Sequence, residues 1–229
     1  MARPLKRPDR PLSGGREFVW SYRPGTRVWT WSRVYHRDRF TAAADAFKDY
    51  GPTNRFDHHR PDPVGKARVD PDRHVLYVAR DIVTGACEVF GETEEALLCS
   101  RWRVARVRPL RPLHLLDLAG PGSALLVGAL PQIGSGHVPR GLTQEWARAL
   151  YEDQPLRRRA DGVRYSTSYT GAAALAVWNR RGDVTTVVGS DEPLRTPHVL
   201  AHLTAELPRR GITVEQVEDD ACRRCRDDA

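Results

Sequence analysis

Long apolar runs are missing from this chain. No stretch approaches the roughly 18 uninterrupted apolar residues that a membrane-spanning helix needs, and the start, Met1-Ala2-Arg3-Pro4-Leu5-Lys6-Arg7, lacks the apolar core of a secretory leader. The expectation is a cytoplasmic protein with no membrane partner. Cysteine is scarce, with four in 229 residues. Cys87 and Cys99 fall in helix-like segments and Cys222-x-x-Cys225 lies in a charged tail, which implies no disulfide framework and suits a reducing compartment. No repeat of fixed period is present. No G-x-G-x-x-G follows a strand, which disfavours a Rossmann site without excluding another way of holding a nicotinamide dinucleotide.

Lysine is nearly absent too. Of 36 cationic side chains only Lys6, Lys48 and Lys66 are lysines, leaving 33 arginines and a formal net charge of +7. Such a balance favours anionic partners such as nucleotides, nucleic acid or acidic proteins, although GC-rich codon usage accounts for arginine equally well. Arginine is the better fork for a pyrophosphate, because its planar guanidinium grips two oxygens at once. At 40% hydrophobic residues the chain can bury one substantial core. Residues 1–25, rich in Pro, Arg and Gly, read as an irregular arm, 26–217 as the globular domain and 218–229 as a charged tail.

Alternation from Val28 to Tyr35, the apolar run His74 to Ala79, Trp102 to Val107, Leu113 to Leu118, Val163 to Tyr169 and Ala173 to Trp178 predict strands. Asp183 to Val188 is expected to pair with the last of these across the Asn179–Gly182 turn, and Ile212 to Val217 to close the sheet. Helices are predicted at Phe40 to Tyr50, at Asp81 to Phe90 with a stop at Gly91, from a Thr93 cap, over Thr143 to Tyr151, and from Thr196 with Pro197 in its first turn. The Pro- and charge-rich loop from Asp57 to Arg73 reads as a lid or rim over a site. Strands outnumber helices and the second half is spaced like hairpins, so the fold class is α+β with a mixed, largely antiparallel sheet and flanking helices.

Five segments stand apart from any core pattern: Ser32-Arg33-Val34-Tyr35, Asn54-Arg55-Phe56-Asp57, Leu76-Tyr77-Val78-Ala79, Ala86-Cys87-Glu88 and Asp161-Gly162-Val163-Arg164-Tyr165-Ser166-Thr167-Ser168. Two cationic groups, two phenols, a carboxylate and a hydroxyl cluster follow one another in that order. The order resembles the RES domain family, named for its Arg, Glu and Ser residues. The resemblance implies an ADP-ribosyltransferase-like fold and an NAD-degrading toxin of a toxin–antitoxin pair, neutralised by a partner with an Xre-like helix-turn-helix domain. NAD is then the substrate, and no cofactor is expected. By position, Arg33 and Arg55 match the two family arginines for phosphate and ribose contacts, Tyr77 the stacking tyrosine and Glu88 the catalytic glutamate. An ungapped match sets Thr167 at the family serine, with Ser166 and Ser168 on either side. Catalytic candidates are thus Glu88, Arg33 and Thr167, and substrate-binding candidates are Arg33, Tyr35, Arg55, Tyr77, Ser166 and Ser168.

The chemistry of the implied reaction agrees with these residue types. Glycoside hydrolysis ordinarily takes two carboxylates because the leaving oxygen must be protonated. Nicotinamide leaves as a neutral molecule from a cationic ring, so one carboxylate suffices, acting by electrostatics on the oxocarbenium-like centre. The expected enzyme is an NAD glycohydrolase or phosphorylase, or an ADP-ribosyltransferase acting on a macromolecule. A noncatalytic relative and a nucleic-acid-binding module built on Arg101, Arg103, Arg106 and Arg108 are the rivals; nucleic acid is not the expected partner, because exposed aromatics are not interleaved with that stripe. Glu88 falls opposite the apolar stripe of its helix, so only a cleft over that face gives it a role. His58-His59 with Cys222-x-x-Cys225 lacks paired ligand spacing, and no metal site is expected.

Overall fold

The computed structural model describes residues 4–22, 30–39, 41–135, 138–178 and 182–228. In chain order it contains β1 (Glu17–Trp20), β2 (Trp31–His36), β3 (Tyr50–Gly51), β4 (Arg68–Val69), β5 (Val75–Ala79), α1 (Ile82–Phe90), β6 (Glu95–Leu98), β7 (Trp102–Pro109), β8 (Leu113–Asp117), α2 (Ser123–Leu126), α3 (Gln132–Ser135), α4 (Arg140–Asp153), β9 (Gly162–Ser166), β10 (Ala173–Trp178), β11 (Val184–Thr186), β12 (Glu192–Pro193), α5 (Pro197–Glu206), β13 (Thr213–Gln216) and α6 (Arg223–Asp228). This is an α+β architecture. The main sheet runs β1-β8-β9-β10-β5-β2-β7-β11 with β12 also on β7, and among its pairs only β8 with β9 is parallel.

Side-chain alternation divides this sheet into two faces. Trp31 and Tyr35 of β2, Leu76 and Val78 of β5, and Leu175 and Val177 of β10 share one core with Ala44 and Phe47. Val75 and Tyr77, Ala174 and Trp178, and Val163 and Tyr165 face the other way, against Trp146 and Leu150 of α4. Val34 packs on that second side with Val83 and Ala86 of α1. Gly85 permits the approach, since a Cβ there would stand 3.2 Å from Val34. Asp81 caps α1 by accepting from the Thr84 amide at 2.8 Å.

Two joints matter for the site. Strand β2 pairs with β7 over six residues but meets β5 at the single pair Ser32↔Ala79. At the far edge, residues 17–20 of the N-terminal arm form β1 on β8, where only local docking was expected.

Several elements depart from expectation, each for a local reason. Residues 41–49 form turns instead of a helix; Asp38 accepts the Thr41 amide at 2.7 Å, and the Ala44 and Ala46 carbonyls turn to Arg33. Phe40 lies outside the described residues. Thr93 caps no helix: its hydroxyl bonds to the Phe90 and Glu95 carbonyls at 3.1 Å, and Glu95–Leu98 becomes a strand that buries Ala96 and Leu98 at period two. Strand β13 joins β6 in a separate parallel pair instead of closing the main sheet. Strand β11 pairs with β7 rather than β10, and residues 179–181 of the expected turn lie outside the described residues. The 57–73 loop is no lid. Asp57, His58 and His59 are buried, Asp70 closes the segment on itself by accepting from the Arg60 guanidinium at 2.6 and 2.9 Å, and the Asp70 amide and Arg73 guanidinium anchor it to the Asp49 carbonyl at 2.8 Å and to Glu152 at 3.0 Å.

Candidate functional site

Where β2 and β5 part, α1 lies across the gap and a crevice opens between them, lined by Arg33, Val34, Tyr77, Gly85, Glu88 and Tyr165. Its enclosed volume is only about 60 Å³. A cavity ten times larger, about 600 Å³, is lined by Phe90, Trp102 and Cys222 beside the C-terminus. Chemistry, not size, selects the smaller one, because it holds the perturbed carboxylate.

Glu88, near the end of α1, is half-buried and turned into the protein. The Tyr165 hydroxyl and the Ser168 backbone amide are disposed to donate to it, and it lies within the electrostatic reach of Arg55. Burial pushes its carboxyl above the usual glutamate range, and Arg55, Tyr165 and Ser168 offset part of that rise. Tyr165 reaches it because β9 alternation sends that side chain to the α1 side of the sheet.

Arg55 joins three elements at this point. Its guanidinium donates to Ser168 Oγ at 2.8 Å and to the Ile133 carbonyl at 3.0 Å, and packs over the Phe56 and Tyr165 rings at 5.6 and 5.7 Å. The buried Nε–H has no protein acceptor among the described residues. That leaves a positive group with a donor to spare beside a carboxylate.

Tyr77 projects from β5 toward the same gap, and its hydroxyl is fixed from behind. It donates to Asp57 Oδ1 at 2.7 Å and accepts from the Phe56 amide at 3.1 Å. Asp57 Oδ2 in turn accepts from Lys48 Nζ at 2.8 Å and from the Thr53 and Asn54 amides at 2.7 and 3.0 Å. Burial alone would raise the Asp57 carboxyl; the Lys48 ammonium and the two amides outweigh it and hold it below the usual range. The segment carrying Arg55 is thereby clamped to the strand carrying Tyr77.

Other expected residues fall differently. Arg33 lines the crevice, but its guanidinium is engaged by the Ala44 and Ala46 carbonyls at 2.6 and 2.7 Å, and burial lowers it to about 10. Tyr35, two residues on and over the same face, donates to Asp191 Oδ2 at 2.9 Å. Thr167 is buried, and its hydroxyl pairs with Thr170 Oγ1 at 2.7 Å. Ser166 closes β9 opposite Ala173. The fold thus gathers Arg55, Tyr165 and Ser168 about Glu88, sets Tyr77 and Arg33 with Glu88 in the lining of the crevice, and directs the Tyr35 and Thr167 hydroxyls elsewhere.

Sequence reasoning missed Tyr165, Asp57 and Lys48 as parts of this site. Tyr165 shares the parity of Val163 and so reads as core; Asp57 and Lys48 sit in turns whose pairing no periodicity reveals. The arginine stripe of β7 is largely engaged: Arg103 donates to Asp191 at 2.7 Å and Arg108 stacks on Tyr22 at 4.7 Å.

The sequence profile of the RES domain matches residues 28–197, which include every residue of the crevice. The chain belongs to the RES domain family. Its fold is similar to that in the crystal structure of the M. tuberculosis MbcT–MbcA toxin–antitoxin complex, with a TM-score of 0.51, 16% identity, and 84% of this chain and 92% of that chain covered. At that identity the likeness is one of fold. Among curated proteins no relative matches. Within this RES domain, the position after Tyr165 and Ser166 carries Thr167, yet the hydroxyl bonded to Arg55 is that of Ser168.

Proposed function

We propose that this RES protein binds NAD in the crevice and breaks its nicotinamide–ribose bond. One observation carries the reading: Glu88, turned inward, meets Arg55, Tyr165 and Ser168 at a gap walled by Tyr77. The bond from the anomeric carbon to the ring nitrogen breaks with its electron pair going to nicotinamide, which leaves neutral. The Glu88 carboxylate faces the cationic ribose centre that remains, in a half-buried site where solvent screening is weakened. Water then adds to that carbon and gives up its proton to solvent, or another nucleophile adds in its place. Arg55, with its unused Nε–H, is placed for the pyrophosphate or ribose, and Tyr77 supplies the flat face for nicotinamide. The crevice is much smaller than the dinucleotide, most of which would lie along the open rim. A partner that covers this rim, an Xre-like antitoxin, would silence the enzyme, and the whole reading makes the protein a toxin of such a pair.

The experiment is NAD loss and nicotinamide release by the purified chain. A folded protein with no turnover of NAD sinks the proposal. Two further results are expected. Ser168→Ala removes the hydroxyl that orients Arg55 and lowers kcat/KM about tenfold, the scale of one neutral partner to a charged group, whereas Thr167→Ala leaves it within about threefold. Equal loss in both would move the serine role to Thr167. The pH profile of kcat/KM should have an acid limb whose midpoint lies above 4.5, because the reactive form is the carboxylate and burial raises its pKa. A limb at or below 4.5 would place the titrating group elsewhere.

A further inference from the structure

The four-residue group His36, Cys99, Cys222 and Cys225 lies on the far side of α1 from the crevice and takes no part in the chemistry above. His36 ends β2, Cys99 follows β6, and the two remaining cysteines flank the start of α6. Their ligand atoms all lie within 4.8 Å of one another. His36 Nε2 stands 3.3 Å from Cys225 Sγ, 3.5 Å from Cys99 Sγ and 3.9 Å from Cys222 Sγ, and the Cys99 and Cys225 sulfurs are 3.5 Å apart.

These spacings are those of a metal shell. With metal–sulfur near 2.3 Å and metal–nitrogen near 2.0 Å, neighbouring donors of a tetrahedron stand about 3.5–3.8 Å apart. A disulfide between any two of these cysteines would leave the imidazole nitrogen facing sulfur with no use for its lone pair. The residues are also buried, with exposures of 2% for His36, 0% for Cys99, 3% for Cys222 and 7% for Cys225. Behind the ring, Asp38 Oδ2 lies 3.5 Å from His36 Nδ1, where its negative charge favours the tautomer that carries the proton on Nδ1 and turns the Nε2 lone pair toward the thiols. Three thiols and one imidazole form a donor set that suits zinc ahead of the harder divalent cations.

We propose that His36, Cys99, Cys222 and Cys225 bind one zinc ion as a closed structural site. Binding exchanges three thiol protons for the cation, and four protein donors leave no coordination position for water or substrate. The ion ties α6 to the end of β2 and to the corner between β6 and β7, joining residues 189 positions apart along the chain. Sequence spacing had set Cys222-x-x-Cys225 beside His58 and His59, but His58 packs against Tyr151 and Trp178 in another part of the core, with the His59 ring beside it. The two missing ligands come from Cys99 and His36, far off in sequence, which is why a lone C-x-x-C reads as nothing.

The test is metal analysis of the full chain, purified without a metal-binding tag. One zinc per chain is expected, falling to below about a tenth in Cys99→Ser and Cys225→Ser, while Cys87→Ser, a buried cysteine outside the group, keeps it. If the serine variants do not fold, the wild type still decides. Reconstituted with cobalt, it should show intense thiolate-to-cobalt charge transfer and tetrahedral ligand-field bands. A folded wild type that takes up no zinc, weak octahedral cobalt bands, or a mass two hydrogens lighter from a disulfide within the group would each overturn the site. None of these readouts depends on NAD turnover.

Discussion

Replacing Glu88 with glutamine should lower NAD turnover about a thousandfold, the effect of removing one preorganised charge from a reacting centre, while the protein stays folded. The amide is isosteric and can still accept from Tyr165, so the positions of Arg55 and Ser168 should persist. What disappears is the negative charge opposite the ribose cation. Stability should move the other way. A carboxyl whose folded pKa is raised binds more protons in the folded state, so its contribution to stability falls as pH rises from the ordinary glutamate range through the raised value. Above that window the ionised Glu88 is a burden on the fold, and the glutamine variant should melt at the same temperature as the parent or higher at pH 7. Nicotinamide release and a melting curve, measured on the same preparation, check both halves. Undiminished turnover would remove Glu88 from the mechanism, and a collapsed melting curve would make the loss uninterpretable as chemistry.

The second large effect belongs to Asp57. Truncation to alanine leaves the Lys48 ammonium without its carboxylate, the Thr53 and Asn54 amides without their acceptor and the Tyr77 hydroxyl without one of its two partners, around a carboxylate that is itself fully buried. Breaking one side of such a pair costs about 3–5 kcal/mol, which for a chain of this size lowers Tm by roughly 6–20 °C. Thermal unfolding of Asp57→Ala against the parent gives the number, and a shift under a few degrees would mean that Lys48 and Tyr77 find other partners. The pH dependence has a definite sign. Because the folded carboxyl is held low, its stabilisation is complete above the ordinary aspartate range and is lost as pH falls through the depressed value. Parent and variant stabilities should therefore converge in acid.

Which parts of this molecule were legible beforehand follows from which interactions are local. Helix α1 was readable because its cap Asp81, its apolar stripe and its stop at Gly91 lie within eleven consecutive residues. Strands β5, β7, β8 and β10 carry runs or alternation long enough to show, and the order of Arg, Tyr and Glu segments survived into a shared gap. Residues 41–49 have helical spacing of Ala42, Ala43, Ala46 and Phe47, yet Arg33 claims two of their carbonyls, a tertiary bond invisible to propensity. The partners of β11 and β13 were misplaced because neighbouring strands in sequence need not be neighbours in a sheet. Thr167 could not be told from Ser168 by counting. The strand ends at Ser166, so alternation stops just where the choice between them arises, and the loop geometry turns the later hydroxyl to Arg55.

The single pairing of Ser32 with Ala79 divides the main sheet into two leaves, one holding β1, β8, β9, β10 and β5, the other β2, β7, β11 and β12. Each leaf is laced internally, whereas the spine between them carries the bonds of one residue pair, about 1 kcal/mol for each hydrogen bond it contains. Cohesion across that spine falls instead to the apolar side chains both leaves share, Trp31 and Tyr35 from one and Leu76 and Val78 from the other, so the two walls of the crevice are registered by packing rather than by a ladder.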